Sequence, residues 1–145
     1  MDQSDGSLDL EGNCLVDIKK LLLESGDLDE IEVGRRSWSV FCIDDKAIFE
    51  HDAFRLENSF KTQGASSFWV ARVSDLLTRK KKVSAYRFEV SKAGIEEFQR
   101  PFYSGINLED CLLFNLPITC VVFRPGCVDV TKFAGDLEFI GEMRK

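Results

Sequence analysis

The spacing of apolar residues changes once along this chain, and that change limits the fold more than any other feature. Leu15, Ile18 and Leu22 recur at three- and four-residue intervals, with Leu21 and Leu23 widening the stripe. This is the repeat of one helix face. Asn13 is placed to cap the start of this helix, and Ser25-Gly26 to end it. Beyond Glu32 the repeat shortens to two. Trp38, Val40 and Cys42 alternate with Ser37, Ser39 and Phe41, and Asp44-Asp45 supplies a turn before a returning strand over 47–49. Residues 50–66 fit neither period cleanly. Alternation resumes at Phe68, Val70 and Arg72 against Trp69, Ala71 and Val73, and again at Tyr86, Phe88 and Val90.

Ser91 caps a short helix containing Ile95 and Phe98, closed by Pro101 and Gly105. Asn107 and Asp110 offer a second cap, for a helical turn through Cys111 to Phe114. Ile118 to Phe123 reads as a buried strand, Pro125-Gly126 as its turn, 128–130 as continuing sheet, and Leu137 to Ile140 as a last strand. A helix followed mostly by strands predicts an α+β fold. Its expected form is an N-terminal helix packed on a largely antiparallel sheet of about five to seven strands, with one or two short inserted helices. Residues 1–10 are polar and predict a flexible N-terminus, leaving 11–145 as one globular domain of ordinary size.

The 44% hydrophobic content, including 12 Phe, is enough for a core without disulfide or metal staples. Met1-Asp2-Gln3-Ser4-Asp5 lacks the basic start and apolar run of a signal peptide, and no apolar stretch approaches a membrane span. The expected location is therefore the cytoplasm. Five scattered cysteines, none in a C-x-x-C pair, fit a reducing compartment and give no zinc or redox motif.

Candidate chemistry is sparse. His51 is the only histidine, so a thiol-dependent enzyme would have to bring Cys42 or Cys120 to it. The glycines form no phosphate-binding loop, and the carboxylate pairs Asp44-Asp45, Glu96-Glu97 and Glu109-Asp110 sit where acids cap or solvate. No catalytic residue, metal site or cofactor is predicted.

Charge supplies the binding expectation. Residues 1–32 hold ten acidic side chains against Lys19 and Lys20, a net −8, whereas residues 33–145 carry 17 basic and 15 acidic groups, a net +2. Clustered carboxylates steer and select a basic protein. The leading expectation is thus a domain that neutralises or inhibits a basic partner of toxin or nuclease type, as immunity proteins and antitoxins do. Asp27, Asp29, Glu30 and Glu32 form its contact surface, with Trp38 as an aromatic anchor. The alternative is a single-stranded nucleic-acid-binding module, in which Arg72, Arg79, Lys80, Lys81, Lys82 and Arg87 meet phosphates while Trp69 and Tyr86 stack on bases.

Overall fold

The computed structural model describes residues 6–100 and 109–145. It confirms an α+β fold, built on one seven-stranded antiparallel sheet. The strands are β1 (Ser7–Glu11), β2 (Ser39–Ile43), β3 (Ser67–Arg72), β4 (Lys82–Glu89), β5 (Cys111–Phe114), β6 (Cys120–Arg124) and β7 (Thr131–Gly135). Their order across the sheet is β1-β4-β3-β5-β6-β7-β2. Among the described residues six helices cover it: α1 (Gly12–Lys19), α2 (Glu30–Arg35), α3 (Glu50–Thr62), α4 (Val73–Leu76), α5 (Lys92–Glu97) and α6 (Leu137–Met143).

Side chains alternate across a strand, so a sheet covered on both faces must be apolar on both. β5 and β6 meet this condition in full, since every residue of each is buried. Leu113, Val122 and Phe133 join one core with Leu56 and Phe60 of α3, Ile95 of α5, and Phe139 and Met143 of α6. Leu112, Val121 and Ala134 join a second core with Leu15 and Ile18 of α1, Val33 of α2 and Leu76 of α4. The first core centres on phenylalanines: Phe68 stacks on Phe60 at 5.3 Å and on Phe88 at 5.7 Å, with Phe98 edge-on at 6.0 Å. Such offset and edge-on contacts suit the ring quadrupole.

Several elements differ from the periodic reading. Residues 7–10 form most of edge strand β1, paired with β4 from Ser7↔Tyr86 to Glu11↔Lys82, and so belong to the sheet. α1 starts at Gly12 with Glu11 as its cap residue, and ends at Lys19. Leu22 instead bridges Leu28, and Gly26 takes a left-handed φ of 94° in the intervening turn. The predicted strand over 47–49 is extended chain without a strand partner. Gln99 satisfies its backbone, accepting from Ile48 N–H at 2.8 Å and donating to Ile48 C=O at 2.7 Å. One side-chain amide there does the work of a ladder rung.

α3 hid within residues 50–66 because its buried face contains small and polar residues. Ala53, Leu56, Ser59 and Phe60 point inward, and Phe54 points out. Ser59 Oγ donates to Phe139 C=O at 2.8 Å, tying α3 to α6. The expected helical turn at Cys111–Phe114 is strand β5; Asp110 accepts from Gly126 N–H at 2.8 Å in place of capping a helix. Residues 128–130 carry no strand, and β7 begins at Thr131. The expected last strand is α6. Asp136 Oδ1 accepts from Phe139 N–H at 2.9 Å, and Phe139, Ile140 and Met143 share its buried face. Ser91 caps α5 as expected, accepting from Gly94 N–H at 2.9 Å. Pro101, Gly105 and Asn107 lie outside the described residues.

Two predictions follow from this packing. A Cβ on Gly94 would stand 2.2 Å from Glu89 C=O, whereas one on Gly34 meets nothing within 4 Å. Gly94→Ala is expected to cost about 3 kcal/mol, and Gly34→Ala, inside α2, to stabilise by about 0.5–1 kcal/mol; urea unfolding measures both. The second concerns carboxylates joining α3 to α5. A bond from Lys61 Nζ and another from Lys92 N–H hold the Glu57 carboxyl below its ordinary range, and a bond from Glu50 N–H does the same for Glu96. A depressed folded-state value adds stability above the unfolded value and loses it as pH falls through the folded one. The urea midpoint should therefore drop on acidification below the ordinary glutamate range, and Glu96→Gln should flatten part of that drop.

Candidate acidic docking site

The short helix α2 begins where a cap requires it. Asp29 Oδ1 accepts from Ile31 N–H at 3.0 Å and from Glu32 N–H at 3.2 Å, satisfying two of the donors left open at a helix start. Successive residues then radiate from the first turn. Glu30 reaches across the sheet to Lys132 Nζ at 2.8 Å. Glu32 turns the other way, accepting from Arg36 Nε at 3.0 Å, while Arg36 also donates to Asp17 Oδ1 at 2.9 Å. Ile31 lies between them, 72% exposed.

Cys42 is directly opposite Lys132 in the β2–β7 register, on the same sheet face as Val40 and Ala134. The electrostatics show which carboxylates gather there. The bond from Glu30 raises Lys132 above its ordinary value, and Asp27 acts in the same sense. Partial burial raises the Cys42 thiol; Lys132 opposes this, and Glu30 and Asp44 add to it. Asp27 and Glu30 thus act on Lys132, and Glu30 and Asp44 on the neighbouring Cys42, at the end of β2 and β7. Ile31 and the half-exposed Val130 are apolar side chains on the adjoining segments. Two carboxylates about one ammonium, with a third beside the neighbouring thiol, leave an anionic surface with an apolar projection.

The residues expected from sequence therefore divide. Asp27 and Glu30 meet at Lys132. Asp29 is bound into the cap, and Glu32 is held by Arg36 and, at 3.5 Å, by Arg35. Trp38 is half-buried against the second core with the Arg36 guanidinium 5.2 Å from its ring, so its exposed face is already occupied. Ile31, Asp44 and Lys132 were not anticipated. The signal for Ile31 was present: an isoleucine between two glutamates, out of step with buried Val33.

The basic and aromatic residues of the alternative do not form one platform. Trp69 packs toward the second core and Tyr86 toward the first, on opposite faces of the sheet. Arg72 donates to Glu109 at 2.9 Å and lies 5.8 Å from the Tyr86 ring. Arg87 is opposite Trp69 in register. Arg79, Lys80, Lys81 and Lys82 are exposed, and Lys19 joins their corner by donating to Thr78 C=O at 2.9 Å.

His51 is exposed in the first turn of α3, and among the described residues no hydrogen bond joins it to a cysteine. Cys120 is buried and bonded to Asn115, with its thiol raised by desolvation. Burial pushes Cys111 up to about 12. Among the described residues no group of His, Cys, Asp or Glu is placed to hold a metal ion, and no helix is long and apolar enough to cross a membrane. A shallow cleft of about 340 Å³ opens between Gly26, Val73 and Leu77, with Glu109 and Asp110 on its rim.

The thiolate is the reactive form of cysteine, so accessibility and raised pKa together decide labelling. Maleimide near neutral pH should modify exposed Cys42 and Cys127 in the folded protein and spare Cys111 and Cys120 until denaturant is added; mass spectrometry of the labelled peptides reads this directly. No protein-family model, characterised protein or solved structure matches the chain, so the reading of this site rests on its own geometry.

Proposed function

We propose that this domain binds a protein with a basic contact surface, docking it on the first turn of α2 and the adjoining end of β2 and β7. The observation that carries the reading is the gathering of Asp27 and Glu30 on Lys132, with Asp44 beside the adjacent Cys42 and Ile31 facing outward. Effective protein interfaces pair a small apolar centre with a charged rim. The carboxylates raise the encounter rate and reject acidic surfaces, while the apolar side chain supplies contact area once water is expelled. Neutralising a basic toxin or nuclease is the type of task this surface suits. A cationic site that ordinarily engages phosphate would meet carboxylates in its place.

The test starts from a partner recovered from the native host. Asp27→Asn with Glu30→Gln should slow association and flatten its dependence on salt, and Ile31→Ala should weaken affinity by about tenfold. Surface plasmon resonance at several ionic strengths separates the two effects. An affinity and a salt slope that survive all three substitutions would rule out this surface as the dock.

A further inference from the structure

The two edges of the sheet are built differently. β1 presents Asp9 and Glu11 along its length. β2 is Ser-Val-Phe-Cys-Ile, with no charge, proline or glycine in five residues, and among the described residues it pairs only with β7. Among the described residues, no hydrogen bond outside the ladder involves a backbone group of Ser39–Ile43. A terminal strand of this kind offers a row of donors and acceptors to another strand. Charged residues normally discourage such pairing, and β2 itself carries none.

The flanks of β2 specify what can pair with it. Arg35, 74% exposed, precedes the strand, and the exposed Asp44 and Asp45 follow it; Arg36 is held inward by Asp17 and Glu32. An antiparallel second β2, related by a two-fold axis near Phe41, sets Ser39 against Ile43 of the second copy. The aspartate end of each copy then lies beside the arginine end of the other, twice, by symmetry. Parallel pairing would bring like charges together at both ends. The equivalent two-fold pairing at β1 would place Asp9 against Asp9. A two-fold contact requires a patch complementary to itself, and β2 with its flanks is one.

We infer that two copies of this chain associate edge to edge through β2, antiparallel, joining their sheets into one of fourteen strands. This inference does not rest on the docking reading above. Five residues a side make a small interface, so the dimer is weak and reversible.

Sedimentation velocity on the intact chain tests it, at protein concentrations from about 10 µM to about 1 mM, the range where small interfaces dissociate. The wild-type protein should shift from monomer to dimer mass across that range. Arg35→Glu alone and Asp44→Lys alone should each weaken association by about tenfold, because each places like charges at both ends of the contact. An equimolar mixture of the two variants should regain wild-type dimerisation, since each copy then meets an opposite charge at both ends. This recovery also shows that both variants are folded. A wild-type monomer at every concentration overturns the inference, and so does a dimer that neither reversal weakens or that the mixture fails to restore.

Discussion

Burial of β5 and β6 on both faces is the condition under which the rest of the fold exists. Their nine residues are all buried, and two separate cores meet across them. A two-layer arrangement would leave one of those faces in water, at a cost of about 25 cal/mol per Å² of apolar surface. Helices must therefore cover both sides. α3, α5 and α6 do so on the phenylalanine-rich side, and α1, α2 and α4 on the aliphatic side. The three-layer plan is a consequence of strand composition at the centre of the sheet.

The position of the acidic surface follows from the same plan. α2 lies over the second core through Val33 alone among its buried residues, so its other side chains are left to solvent or to ion pairs. Asp17, Glu32 and Arg36 form a connected group that fixes the helix to α1, and Glu30 ties it to β7. The front of the chain is consequently less anionic in space than in sequence. Of what remains, Asp27 and Glu30 gather about Lys132, while Asp9 and Glu11 lie on β1 at the opposite edge of the sheet. Exposed ion pairs contribute little stability each. Their effect here is to orient α2 and to select which carboxylates stay available.

Most of the sheet was legible because its strands announce themselves. β3 and β4 alternate openly, with Phe68 and Val70 on one face and Trp69 and Ala71 on the other. β6 showed as an uninterrupted apolar run, as a strand buried on both faces must. The Ser91 cap was likewise readable, since a serine before a helical stripe has few better uses. The α2 acids stood out by density alone. Their pairing did not, because Arg36 is 19 residues from Asp17 and Lys132 is 102 from Glu30.

The order of residues was enough to set the class of fold, a sheet of five to seven strands, and the anionic character of the N-terminal third. These depend on local period and composition, which any window of the chain displays. The tertiary structure alone decided whether short apolar segments became helix or strand. Leu137–Ile140 and Cys111–Phe114 have similar content, and each took the form opposite to its local reading because the available cap and the neighbouring strand outweighed weak intrinsic preference. It also decided that a glutamine side chain would replace a strand at Ile48, and that Asp27 and Glu30 would meet at a lysine near the far end of the chain. Contacts between distant residues are a property of the assembled sheet, since only its register brings their side chains within reach.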